Sequence, residues 1–298
     1  MLRLTMLGTG AALLDPARAQ TSLLVTVDGR DHLLLDCGNG AARRLVEAGV
    51  SPSEVDRVLL THLHVDHTAD LASFTIGAWM LNRPEAFRLY GPAGTRRLIS
   101  HLLEGGAFDI DIRARAGYPL RQRNLTVLRP EITEYGPGVI IDEPGLRVTA
   151  GLVDHIPEEI SPCYGFRIEA GGRVIAFSGD TTPTATMVEL ARGADVLVHD
   201  CTFPEAFLEH RRQSGVGTSA HTSPRELGRI SAEAGVKLLV PSHFGHFDTT
   251  SPVLLRCAAA HLPAELAGPH QIDAMIQDIR ESFAGPVLPA RDLLRIEL

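Results

Sequence analysis

No stretch of this 298-residue chain approaches the ~20 consecutive apolar residues of a bilayer-crossing helix, which argues against a helical membrane span. Met1-Leu2-Arg3-Leu4-Thr5-Met6-Leu7-Gly8 runs from a strand pattern straight into a glycine turn. It has no charged segment followed by a long apolar run, so no secretory signal is read and a cytoplasmic location is expected. Cysteine is scarce: Cys37, Cys163, Cys201 and Cys257 stand far apart and form no Cys-x-x-Cys pair. That argues against a disulfide framework and a zinc ribbon, leaving free, mostly buried thiols in a reducing compartment. Basic charge is also short, with 28 Lys and Arg against 36 Asp and Glu and a net charge of −8. A general nucleic-acid scavenger would show a basic excess. Arg113, Arg115, Arg121 and Arg123 could form a local basic patch, but a solvated loop is the preferred reading. No low-complexity segment or flexible linker occurs. With 44% hydrophobic and 21% charged residues, the chain can build a sizeable core, and one domain over residues 1–298 is expected.

Short apolar runs recur at Leu23 to Val27, Leu33 to Leu35, Val58 to Leu60, Val174 to Phe177, Val196 to Val198 and Leu238 to Val240. Each is bounded by Gly, Asp or Pro and reads as a strand. Helical patterns occupy Ala41 to Ala48, Thr95 to Leu103, Thr184 to Arg192 and Pro224 to Ala234. Strands alternating with helices imply a layered α/β architecture. Gly29-Arg30 precedes a strand ending at Asp36, a helix, and a strand ending at Thr61-His62; Gly172-Arg173 precedes a strand ending at Asp180, a helix, and a strand ending at His199-Asp200. This shared plan suggests two similar halves joined near Gly136 to Gly145. The segment from Glu104 to Gly145 shows little periodicity and reads as loop and short strands, the expected source of substrate selectivity.

The most informative stretch is Thr61-His62-Leu63-His64-Val65-Asp66-His67. Imidazole and carboxylate are ligands for zinc, manganese or iron(II). Four of them are too many for one tetrahedral ion that keeps an open position, which points to two metals. The alternative, a chance cluster on a polar loop, is weakened by the other strand ends. The strand at Val148 to Val153 delivers Asp154-His155, Ile175 to Phe177 delivers Asp180, Val196 to Val198 delivers His199-Asp200, and Leu238 to Val240 delivers His243. Rigid strands ending on one edge are where α/β proteins assemble sites.

These segments resemble the metallo-β-lactamase superfamily, and within it the ribonuclease Z-like metal-dependent hydrolases. Besides His62 to His67, the likeness rests on Leu7-Gly8-Thr9-Gly10-Ala11, Leu35-Asp36-Cys37-Gly38, Tyr164-Gly165-Phe166-Arg167-Ile168, Gly179-Asp180-Thr181 and Asp292-Leu293-Leu294-Arg295-Ile296. It implies a four-layer αβ/βα sandwich of two mixed sheets flanked by helices. It also implies two divalent ions, most often zinc, with manganese or iron as alternatives. His62, His64 and His155 would hold the first ion, and Asp66, His67 and His243 the second, with Asp180 bridging. A hydroxide shared by two cations is nucleophilic at neutral pH; Asp66 would orient it, and Asp36 would fix a ligand imidazole. Ser219-Ala220-His221-Thr222-Ser223 resembles the motif whose histidine protonates the leaving oxygen. His199-Asp200-Cys201-Thr202 resembles its partner, with Asp200 in place of the usual glutamate. An alkoxide leaves poorly without a proton, so His221 as general acid makes chemical sense; otherwise His221 only enters the helix that Ser223-Pro224 caps.

Two departures weigh against transfer-RNA 3′ processing. Only a strand pair separates His155 from Asp180, leaving no room for the family's RNA-gripping arm, and Ser242-His243-Phe244 stands where Ser-Arg-Tyr is usual. His246 is left between pocket-lining and solvated-loop readings. The expectation is a dinuclear-metal hydrolase of a small or medium anionic or ester substrate, phosphodiesters first. Lactones, aryl sulfates and other esters come next, and nucleic acid stays open. A mononuclear iron oxygenase of the same fold is disfavoured by the complete second ligand set, and a non-catalytic binding module because no ligand is missing. The resemblance also brings a homodimer as an option, and no membrane partner is expected.

Overall fold

The computed structural model describes residues 1–122, 124–215, 220–258 and 263–298. Arg123 and Ser219, both used above, lie outside them. The chain forms two compact units. One comprises Met1–Gly8, Ala19–Gly136 and Leu293–Leu298; the other comprises Thr9–Arg18 and Pro137–Asp292. The division at Gly136 falls where the sequence pattern joins its two halves.

The first unit carries a seven-stranded mixed sheet. Its strands are β1 (Leu2–Gly8), β2 (Ser22–Val27), β3 (Asp31–Leu35), β4 (Val55–Leu59), β5 (Arg88–Gly91) and β6 (Glu131–Glu134). The C-terminal strand Arg295–Glu297 pairs antiparallel with the outer side of β1. Antiparallel pairing runs from β1 to β3 and parallel pairing from β3 to β6. Leu35 at the end of β3 is in register with Leu59 at the end of β4, so the residues that follow both strands leave the sheet at one edge. Leu34, Val58, Leu60, Phe74, Trp79, Phe87 and Leu89 are among the side chains of its core. The rings of Phe74 and Phe87 meet edge-on at 5.2 Å, a favoured aromatic geometry.

The second unit carries β7 (Gly138–Glu143), β8 (Leu146–Val153), β9 (Cys163–Ala170), β10 (Arg173–Phe177), β11 (Val196–Asp200) and β12 (Leu239–Ser242). Pairing is antiparallel from β7 to β10 and parallel from β10 to β12. The hairpin–helix–parallel strand plan thus occurs twice: β2, β3, the helix Ala41–Glu47 and β4; then β9, β10, the helix Ala185–Ala191 and β11. Thr184 caps the latter helix through Met187 N–H at 3.2 Å. The expected cap at Ser223-Pro224 is present as a reciprocal Ser223–Glu226 capping box on the helix Pro224–Ala234, satisfying donors that a helix start leaves open.

The segment 104–145 departs from the loop-and-strand expectation. It includes β6 and β7 but also the helices Asp109–Ala116 and Pro119–Gln122. Asp109-Ile110-Asp111-Ile112 alternates like a strand in sequence. Helical spacing wins because it pairs Asp109 with Arg113 and Asp111 with Arg115, each at 2.8 Å, as four-residue spacing on a helix allows. Ile112 then enters the core while Ile110 stays 77% exposed. Arg113 and Arg115 are therefore ion-paired surface residues, and Arg121 donates to the Trp79 carbonyl and the Asn82 side chain. No described helix is long and apolar enough to cross a membrane.

Candidate functional site

In the first unit, β4 ends at Leu59 and the chain turns through Thr61-His62-Leu63-His64 into the one-turn helix Val65–Thr68. Asp66 and His67 are buried on that turn, His62 is buried before it, and His64 is exposed. Asp36, at the end of the neighbouring parallel strand, ties this loop together. Its fully buried carboxylate accepts Thr61 N–H at 2.8 Å, Thr61 Oγ1–H at 2.9 Å and His67 Nδ1–H at 2.7 Å. Burial raises its pKa above the ordinary carboxylate range, against the pull of His67 and Thr61. Asp36 adopts a left-handed backbone with φ 56°, a conformation that costs about 1–3 kcal/mol and tends to persist where surrounding contacts impose it. Gly38 is required by proximity: a Cβ there would lie 2.1 Å from the Asp66 carbonyl oxygen. The Leu35-Asp36-Cys37-Gly38 segment is therefore the cradle of the histidine loop.

With Nδ1 of His67 committed to Asp36, Nε2 is the ring nitrogen that could serve a metal. It lies 3.6 Å from Asp66 Oδ2, while His62 Nε2 and His64 Nδ1 lie 3.1 Å apart. Donors around one tetrahedral ion with bonds of 2.0–2.1 Å are separated by about 3.3 Å. The spacing and chemistry of these donors fit a divalent metal.

In the second unit, His155 follows β8, Asp180 follows β10 and His243 follows β12. Asp180 Oδ2 lies 3.5 Å from His155 Nε2 and 3.2 Å from His243 Nε2. The other nitrogens are held separately. His155 Nδ1–H donates to the Ala220 carbonyl at 2.7 Å, and His243 Nδ1 meets Thr202 Oγ1 at 2.9 Å. A partner on Nδ1 fixes the tautomer that leaves Nε2 for a metal. Burial also holds the His155 pKa below its ordinary value, favouring the neutral, ligating form. His243, like Asp36, has a left-handed backbone, with φ 57°. These donors, too, fit a divalent metal.

Asp200, at the end of β11, is buried between two histidines. Its Oδ2 accepts His221 Nδ1–H at 3.0 Å; His199 Nδ1 lies 2.9 Å from its carbonyl oxygen and 3.0 Å from Oδ1. Burial alone would raise this carboxyl, but attraction and hydrogen bonding from His199 and His221 outweigh it and hold the group below the ordinary carboxylate range. The His221 ring stands 5.1 Å from that of His155 and 5.3 Å from that of His243. His221 therefore belongs to this cluster and is more than a helix-entry residue. His246 is half-buried, which lowers its pKa, so it is not a solvated loop histidine.

Two supporting residues escaped sequence reasoning. Tyr135 O–H donates to the Leu60 carbonyl at 2.6 Å, bracing the chain just before the histidine loop. Arg18 pairs with Asp248, donates to Thr9 Oγ1 at 2.8 Å and lies 4.8 Å over the Phe244 ring. It thereby fastens the loop bearing His243 to the segment after β1. Thr202 was legible only as part of a motif. Cys37, Cys163 and Cys201 are buried free thiols, and Cys257 is exposed. Burial raises Cys37 and Cys201 well above the ordinary thiol range, making them inert packing groups.

The family profile described as anti-Pycsar protein Apyc1 matches residues 2–221. Ribonuclease Z from Mycobacterium bovis (strain BCG / Pasteur 1173P2) is 33% identical over 303 aligned positions, covering all of this chain and 99% of the relative. The chain belongs to the Apyc1 family and to the ribonuclease Z-like metallo-β-lactamase superfamily. Its fold is similar to the metallo-β-lactamase fold protein YhfI from Bacillus subtilis, with TM-score 0.70 at 21% identity, covering 100% of this chain and 99% of that one. Human tRNase Z, short form, gives TM-score 0.69 at 20% identity, covering 99% and 98%. The α/β class with two mixed sheets flanked by helices is thus the metallo-β-lactamase fold, and this family member is a metal-dependent hydrolase.

Proposed function

We propose that the protein hydrolyses a phosphodiester with two divalent ions, zinc in keeping with the imidazole-rich donor set. His62, His64 and His155 would hold one ion and Asp66, His67 and His243 the other, with Asp180 available to both. Residues 1–298 are proposed to act as one functional domain. When bound, such an ion pair lowers the pKa of a shared water and neutralises charge on the phosphoryl group. Asp66 orients the attacking oxygen. His221 gives its Nε2 proton to the leaving oxygen, and Asp200 holds the imidazole by Nδ1 and stabilises its charged form. The Asp200–His221 pair, set against His155 and His243, carries this reading, because a general acid matters most where a poor alkoxide must depart.

The name ribonuclease Z of the relatives supports phosphodiester chemistry. Only the β9–β10 pair and short connections lie between His155 and Asp180, so a small phosphodiester is proposed ahead of precursor transfer RNA. The buried free thiols fit a cytoplasmic setting. Turnover of bis(p-nitrophenyl) phosphate, small cyclic and linear phosphodiesters, a precursor transfer RNA and a lactone and aryl sulfate panel tests the proposal. Phosphodiester hydrolysis that needs His221 supports it; lactone or sulfate turnover alone overturns it.

A further inference from the structure

A cavity of about 410 Å³ opens beside His221 within the second unit, and Arg212, Arg225, Arg229, Glu205 and Glu226 are among its lining residues. Its volume lies in the range of small-ligand pockets. The acids are already committed: Glu205 accepts Arg225 N–H at 3.0 Å, and Glu226 accepts Ser223 N–H at 3.0 Å in the capping box. Arg225 is held by Asp278 and Glu281, both at 3.1 Å. Arg229, one turn along the same helix, has no hydrogen-bond or ion-pair partner among the described residues. Among the described residues Arg212, from the helix Glu205–Gln213, pairs only with Glu209, and both are more than half exposed. Such an exposed pair contributes little and can be exchanged for a ligand.

His221 fixes what this cavity faces. Its Nδ1–H is bound to Asp200, and in the proposed function its Nε2 gives the proton to the leaving oxygen. Whatever is attached to that oxygen lies on the side of His221, which also lines the cavity. Arginine suits planar, two-pronged contact with phosphate or carboxylate oxygens. We propose that this cavity is the leaving-group subsite, and that Arg229 and Arg212 bind an anionic, phosphate-sized group carried by the departing alcohol. The proposal rests on the phosphodiesterase reading and narrows it to substrates with a second anionic group on the leaving side. In the step, the incoming hydroxyl oxygen bonds to phosphorus and the bond from phosphorus to the leaving oxygen breaks. The electron pair stays on that oxygen, which takes the His221 proton, and the imidazole is reprotonated from solvent.

The test compares the thymidine dinucleotide TpT with pTpTp, which carries a terminal phosphate whichever end departs. Full-length wild type and Arg229→Ala, a surface substitution checked by thermal melting, are assayed on both. Wild type is expected to favour pTpTp, and Arg229→Ala to lower kcat/KM for pTpTp about tenfold more than for TpT, roughly one charge-assisted contact. Arg212→Ala should act in the same direction. Turnover of both substrates with equal losses, or with no preference in wild type, overturns the subsite and leaves the phosphodiesterase reading standing. No turnover of either by wild type overturns both.

Discussion

The two units place their candidate ligands by opposite strategies. In the first, His62, His64, Asp66 and His67 share one six-residue span, and one buried carboxylate, Asp36, reaches both Thr61 and His67. In the second, His155, Asp180 and His243 come from three strand ends, and each histidine has its own support, the Ala220 carbonyl or Thr202. A concentrated site should fail as a unit when its brace is lost, whereas a distributed site should lose one ligand at a time.

The largest expected effect lies in the second unit and separates chemistry from metal binding. His221→Ala should lower phosphodiester turnover by ~10²–10⁴, as loss of a general acid does, while metal content stays at the wild-type level. The loss should be smaller with p-nitrophenyl leaving groups, which need a proton less. Steady-state kinetics on both substrate types, with elemental analysis of the same samples, checks this. Next comes the brace of the first unit. Asp36→Ala should weaken metal binding by about 10–100-fold, and because it releases the whole histidine loop, both ions should be affected. Gly38→Ala should behave alike, since its Cβ would press on the Asp66 carbonyl. Titration with a competing chelator reads both variants. Thr202→Val should do less, weakening one ion by roughly tenfold and leaving the other in place. If Thr202→Val and Asp36→Ala gave the same profile, the contrast between concentrated and distributed support would be lost.

The smallest effect is on stability against pH. His32 in the first unit and His246 in the second are both held below their ordinary pKa, mainly by burial. A histidine depressed in the fold contributes stability above its unfolded pKa of about 6.5, and that stability is lost as acidity protonates the unfolded chain first. The Tm of metal-free protein should therefore fall by a few degrees between pH 7.5 and 5. His32→Gln and His246→Gln should each flatten part of that slope, showing which unit contributes more. Thermal melts across the range decide it.

The same contrast explains how much could be read in advance. The concentrated candidate ligands were legible because six consecutive residues carry them, and Asp36 because it follows an apolar strand run. The distributed candidate ligands became legible only as an ordered set, since His155 or His243 alone is an ordinary histidine. Tyr135 and Arg18 left no signal, because their roles come from contacts spanning 75 and 230 residues. The helix Asp109–Ala116 was hidden by an alternation that mimics a strand, and only its Asp–Arg pairs at four-residue spacing betray it. Fold class needed less, because apolar strand runs and their order suffice for it.

The most direct test of the central claim is the metal content of purified protein, measured by mass spectrometry beside hydrolysis of bis(p-nitrophenyl) phosphate on the same preparation. The account predicts about two zinc or manganese ions per chain, turnover abolished by chelation, and recovery when the metal is restored. A single iron per chain with no phosphodiester hydrolysis would contradict it.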